Sequence, residues 1–181
     1  MLKIFIVYIL ASLPILNFAQ GFQSLLNSDQ ADSLEKLKSN LNGLVTFAID
    51  PKTELKFGLN KGSIVYEYIS RVGEIDGQFY SYFQTGELKE WKTFDSGCKE
   101  GPSCKYYSNG VLQECGSYVC ITKDTTLFES DTIIDSLTGE LIISNSSFDY
   151  YSIKDGEWWY YSSVGKLIKK EKWINGKISE D

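Results

Sequence analysis

Histidine is absent from this chain of 181 residues, and arginine occurs once, at Arg71. The first absence removes the side chain most used for proton transfer near neutral pH, and with it the commonest metal ligand. The second, together with the lack of a basic cluster to neutralise phosphates in a chain of formal net charge −6, disfavours nucleic-acid binding. No CxxC pair occurs, so a zinc site is disfavoured. There is no glycine-rich phosphate loop and no Ser or Cys nucleophile beside a candidate base. Acid pairs such as Glu87 with Glu90, or Glu129 with Asp131, read as solvated faces. The expectation is a chain with no catalytic residues, no metal and no cofactor.

Apolar and aromatic residues are well supplied, at 43% and 14%, enough for a real core. Met1 to Lys3 is a short positive start, followed by an apolar run from Ile4 to Leu16 broken by Ser12. Ala19 then offers a small residue before Gln20. This is the pattern of a signal peptide over residues 1–19, and the run is shorter than the roughly 20 residues of a membrane anchor. No later apolar run is long enough to span a bilayer. The expected location is therefore secreted, periplasmic or at the cell envelope. Residues 20–75 read as an N-terminal helix with lead-in strands. Ala31, Leu34, Leu37 and Leu41 recur at helical spacing, Ser28 or Asp29 serves as a cap, and Gly43 is a stop. Strands are expected over Leu44 to Ile49, Leu55 to Leu59 and Ser63 to Ser70.

From Asp76 onward the chain repeats itself. Placing Gly101 over Gly77 brings Tyr106 onto Tyr82, Tyr107 onto Phe83, Gly110 onto Gly86, Leu112 onto Leu88 and Tyr118 onto Phe94, always at an offset of 24 residues. A further copy begins at Asp155 and keeps the spacing through Tyr161, Gly165, Leu167 and Trp173. A fixed period of this size marks a repeat architecture. A worn unit is signalled by Thr138-Gly139 and Leu141, so residues 76–181 divide into 76–99, 100–123, a degenerate 124–154 and 155–181. Each unit reads as two strands about a glycine turn, Asn109-Gly110 being the strongest hairpin signal. A two-residue turn ending on each glycine sets Phe83 opposite Leu88, Tyr107 opposite Leu112 and Ser162 opposite Leu167. Period two then puts Phe79, Phe83, Leu88 and Phe94 on one face with Trp158, Tyr160, Leu167 and Trp173. The other face receives Tyr80, Tyr82, Trp91, Tyr106, Trp159 and Tyr161. Both faces are aromatic.

Cys98, Cys104, Cys115 and Cys120 lie in or beside the second unit. The turn arithmetic sets Cys104 across from Cys115, with Cys98 and Cys120 further out. The nested pairing Cys104–Cys115 and Cys98–Cys120 is preferred among the three connectivities, and export favours disulfides over thiols.

The pattern Gly-x-Trp/Phe-x-x-Tyr-x-x-x-Gly-x-Leu, followed by an aromatic and Asn-Gly, resembles the MORN-repeat variant of bacterial proteins often labelled antitoxin components of the YwqK type. The resemblance covers Asp76 to Tyr118 and Asp155 to Lys177 well, Asp124 to Lys154 poorly and the N-terminal third not at all. Ser103 departs from it, standing where the large aromatic is expected. It implies a mainly β fold, an elongated antiparallel meander of hairpins in one sheet, without catalytic residues. The string WWYYSSVGK with the following KW and NG also resembles choline- and glucan-binding repeats of cell-wall proteins, which implies a stacking platform of Trp158, Tyr160 and Trp173. The competing reading, that these rings are simply the core of the repeat, is preferred. The functional expectation is an exported, non-catalytic scaffold that binds a protein at the envelope. The alternative is a carbohydrate- or cell-wall-binding module acting through exposed aromatics.

Overall fold

The computed structural model describes residues 21–122, 132–134, 141–143 and 150–179. The expected signal peptide and the Thr138-Gly139 turn lie outside them. Among the described residues helix α1 (Ser28–Asn40) precedes twelve strands: β1 (Gly43–Asp50), β2 (Thr53–Asn60), β3 (Ser63–Arg71), β4 (Glu74–Tyr82), β5 (Leu88–Asp95), β6 (Cys98–Tyr106), β7 (Leu112–Thr122), β8 (Thr132–Ile134), β9 (Leu141–Ile143), β10 (Tyr150–Tyr161), β11 (Leu167–Ile174) and β12 (Lys177–Ile178). Ten of them form one open antiparallel meander, in the order β1 to β7 and then β10 to β12. The fold is mainly β, as the repeat pattern predicts.

The cap of helix α1 is Asn27, just before the expected Ser28 or Asp29. Asn27 and Gln30 close a reciprocal capping box, in which each side chain takes up the other's orphan backbone N–H. Leu34, on the buried stripe of the helix, joins a core of Phe22, Val45, Leu55, Phe57, Leu59, Ile64, Tyr80, Leu88 and Trp91. None of these residues lies beyond β5.

From β3 to β7 two kinds of turn alternate along the meander. Val72-Gly73 and Ser96-Gly97 are two-residue turns in which both residues have positive φ, 52° and 88° in the first case, as type I′ hairpins require. The turns inside the repeat units are different. The Phe83 amide donates to the Glu87 carbonyl, and the Gly86 amide to the Phe83 carbonyl. The same pair of bonds recurs at Tyr107 with Gly110 and at Ser162 with Gly165. These are three-residue loops with a bulge. The extra residue corrects the expected pairing: Tyr82, Tyr106 and Tyr161, not Phe83, Tyr107 and Ser162, stand opposite Leu88, Leu112 and Leu167. Leu88 accordingly moves to the face of Tyr80 and Trp91, and is buried there. A one-residue slip has this effect because side chains alternate with period two.

The degenerate unit also departs from expectation. Strands β8 and β9 pair with each other as a separate sheet, with Ile134 opposite Leu141. The main sheet bypasses them, and Thr122 of β7 pairs directly with Tyr150 of β10. One row of paired residues then crosses nine strands: Val45, Phe57, Glu67, Tyr80, Trp91, Cys104, Cys115, Trp159 and Lys170. We call its face the helix face, since α1 covers its first half.

Candidate functional site

On the opposite face, rings and lysines interleave. Tyr66, Tyr68 and Phe79 stack on one another with centroids 6.1 to 6.2 Å apart. Lys92 lies 4.7 Å from the Phe79 ring and 5.8 Å from Phe94, with its charge paired to Glu90 at 3.0 Å. Lys99 lies 3.8 Å over Tyr118. Ammonium groups over ring faces are held by the ring quadrupole.

The densest cluster gathers the three aromatics of the expected stacking platform. Trp158, Tyr160 and Trp173 do come together, and the Lys154 ammonium sits among them, 4.0, 5.3 and 5.1 Å from their centroids. Lys154 Nζ also donates to Tyr160 Oη (2.9 Å). Loss of water holds the Lys154 ammonium below the usual lysine range. Burial, then the adjacent Glu171, pushes the Tyr160 phenol up. Trp158 is only 1% exposed, which corrects the expectation of an open ring there. Its Nε1 donates to the Ser117 carbonyl (3.1 Å), and its ring lies so close to Gly116 that a Cβ there would meet it at 2.2 Å. Trp173 and Tyr160 stay half-buried. Sequence reasoning missed Lys154 and Gly116. The signal for Gly116 was the pair of small residues Ser103 and Gly116, which face each other where the first unit has Phe79 and Lys92.

Both expected disulfides are present. Cys104 and Cys115 are directly opposed with Cα atoms 4.2 Å apart, and Cys98–Cys120 spans 5.9 Å. Two disulfides fit an oxidising compartment. No helix among the described residues is long and apolar enough to cross a membrane.

At the turn end of the sheet, the first two units leave a shallow depression between their tips, lined by Phe83, Lys89, Lys105, Tyr107 and Gln113 among others. Phe83 and Tyr107 are the same position in successive units, and neither is buried. Under the helix, Glu67 is fully buried. It accepts from the Phe22 amide (3.1 Å) and from the Tyr82 hydroxyl. Burial raises its carboxyl above the usual range, an effect these two donors oppose. Among the described residues no group of three His, Cys, Asp or Glu side chains could hold a metal.

No family model and no curated protein sequence matches the chain. Among solved structures, the chain is similar to a variant of TarM from S. aureus in complex with fondaparinux, α-GlcNAc-glycerol and UDP, at 4% identity and a TM-score of 0.30. A second structure of TarM gives 3% identity and 0.28. The chain spans about a quarter of the length of those proteins, 25% in each case, and 57% and 56% of its own length is covered. A likeness this slight carries no argument about activity.

Proposed function

We propose that this chain is an exported, non-catalytic repeat scaffold that binds a protein partner at the cell envelope. The observation that carries the reading is the ledge at the turn end. The repeat sets two equivalent rings, Phe83 and Tyr107, side by side in a shallow, solvent-facing depression with Lys89, Lys105 and Gln113 around them. A shallow aromatic patch with polar neighbours suits a protein surface better than a small substrate, which needs an enclosed, concave site. The resemblance to MORN-repeat variants supports a scaffold role, and the apolar leader with two disulfides supports export. The glycan-platform alternative has less support, because Lys154 occupies the space between its three rings.

The test compares the protein with a Phe83→Ala/Tyr107→Ala variant as baits for envelope extract of the native host. A partner retained by the first and lost by the second, with an unchanged circular dichroism spectrum, is the expected outcome. Identical partners on both baits would remove the ledge from the proposal.

A further inference from the structure

An open sheet has two margins, and here they differ in chemistry. The β11–β12 margin carries Lys166, Lys169, Lys170, Lys172 and Lys177. Lysines of this kind repel an incoming strand and are a common guard of sheet edges. The β1 margin has no such guard. It reads Gly-Leu-Val-Thr-Phe-Ala-Ile-Asp over eight residues, with no charge before Asp50 and no proline. Leu44, Thr46, Ala48 and Ile49 are all exposed, and among the described residues β1 has β2 as its one strand neighbour in the sheet.

The outward backbone groups can be assigned. Gln30 Nε2 donates to the Ala48 carbonyl (3.3 Å) from the helix, so Ala48 directs its backbone away from β2. By the alternation of an antiparallel ladder, Thr46 and Leu44 do the same. A carbonyl accepts two bonds, so the Gln30 contact leaves room for an incoming amide.

We propose that β1 is a self-association edge, at which a second copy of this chain adds its own β1 antiparallel and joins the two sheets into one. Pairing all three outward residues, Leu44, Thr46 and Ala48, with their counterparts puts Thr46 opposite Thr46 on a two-fold axis normal to the sheet. Leu44 then opposes Ala48 on one face, and Val45 opposes Phe47 on the helix face. Asp50 falls opposite Asn42, so no like charges meet. The arrangement is self-complementary, as an isologous contact must be. Self-pairing of the opposite margin would instead crowd lysines together. This dimer is independent of the ledge, whose loss would leave it intact.

Sedimentation of the purified protein over a concentration series tests it. A reversible monomer–dimer equilibrium is expected. Thr46→Lys, at an exposed site, should weaken it at least about tenfold by opposing two ammonium groups on the axis, with an unchanged circular dichroism spectrum. Under mild oxidation, Thr46→Cys should give a dimer linked through that residue, seen on a non-reducing gel. A protein that stays monomeric throughout, a dimer indifferent to Thr46→Lys, or a Thr46→Cys chain that forms no linked dimer overturns the proposal.

Discussion

The two halves of the sheet are made from similar strands and held together by different physics. Along the row that crosses nine strands, the first half supplies Val45, Phe57, Tyr80 and Trp91, roofed by α1 and buried as one cluster. Past β5 the helix is gone, and the same row continues as Cys104, Cys115, Trp159 and Lys170. A single sheet without a second layer cannot bury both faces. The second half therefore relies on covalent bridges, of which Cys104–Cys115 lies on the helix face, and on lysines laid over rings on the other face. Leu88 shows the contrast within the repeat: it is 9% exposed under the helix, while its counterpart Leu167 is 45% exposed. A repeat position takes its environment from the layer above it, so equal residues are not equally buried.

The largest effects are expected at one large side chain in each half. Phe57→Ala and Trp158→Ala should each cost about 3–5 kcal/mol in urea unfolding, since the two are 0% and 1% exposed. Their effects should add, because they share no partner. Next come the bridges. Paired Cys→Ser changes should cost about 2.8 kcal/mol for Cys104–Cys115 and about 3.4 for Cys98–Cys120 by loop entropy, the closed loops being 11 and 22 residues. A reversed order would show that packing around the bridges outweighs chain entropy.

A smaller effect separates the halves by pH. The Glu67 carboxyl is raised by burial, so the folded state holds its proton more tightly than the unfolded chain does. Its contribution is full below the ordinary value of 4.5 and is lost as pH rises through the folded value. The slope in that window should not exceed about 1.4 kcal/mol per pH unit. Glu67→Gln should flatten it, as followed by thermal unfolding from pH 4 to 8. The smallest effect is expected at Lys154→Met, about 0.5–2 kcal/mol from the lost cation–π contacts, together with a changed fluorescence of the neighbouring tryptophans.

Much of this was legible in the residues. The period of the repeat predicted the meander, and addition across Asn109-Gly110 paired Cys104 with Cys115. The turn type was not legible. Asn-Gly fits a two-residue turn, yet the chain spends a third residue, Ser108, in the loop and returns it as a bulge beside Leu112. That bulge restores the ladder, which is why the cysteine pairing survives while the leucine pairing does not. Trp158 was placed on the correct face, but its burial depends on Gly116 in another unit and on Lys154 across a bulge in its own strand. Contacts of that kind have no local periodicity. The departure of β8 and β9 from the sheet was equally hidden, because Leu141 still follows a glycine at the repeat spacing.

The glycines that close the two-residue turns explain that departure. Gly73 and Gly97 stand one repeat apart, and the next position in the series is Ile121. Without a residue that tolerates the turn, β7 runs on to Thr122 and the chain leaves the sheet, to re-enter beside it at Tyr150. The opening is sealed at its base by the β7–β10 ladder, and closing a longer detour costs little extra entropy. Position 121 thus works as a port in an otherwise closed weave. Segments of different length or composition can be spliced in there while the strands on either side keep their neighbours, and a foreign peptide inserted between Thr122 and Tyr150 should be carried by the sheet as cargo.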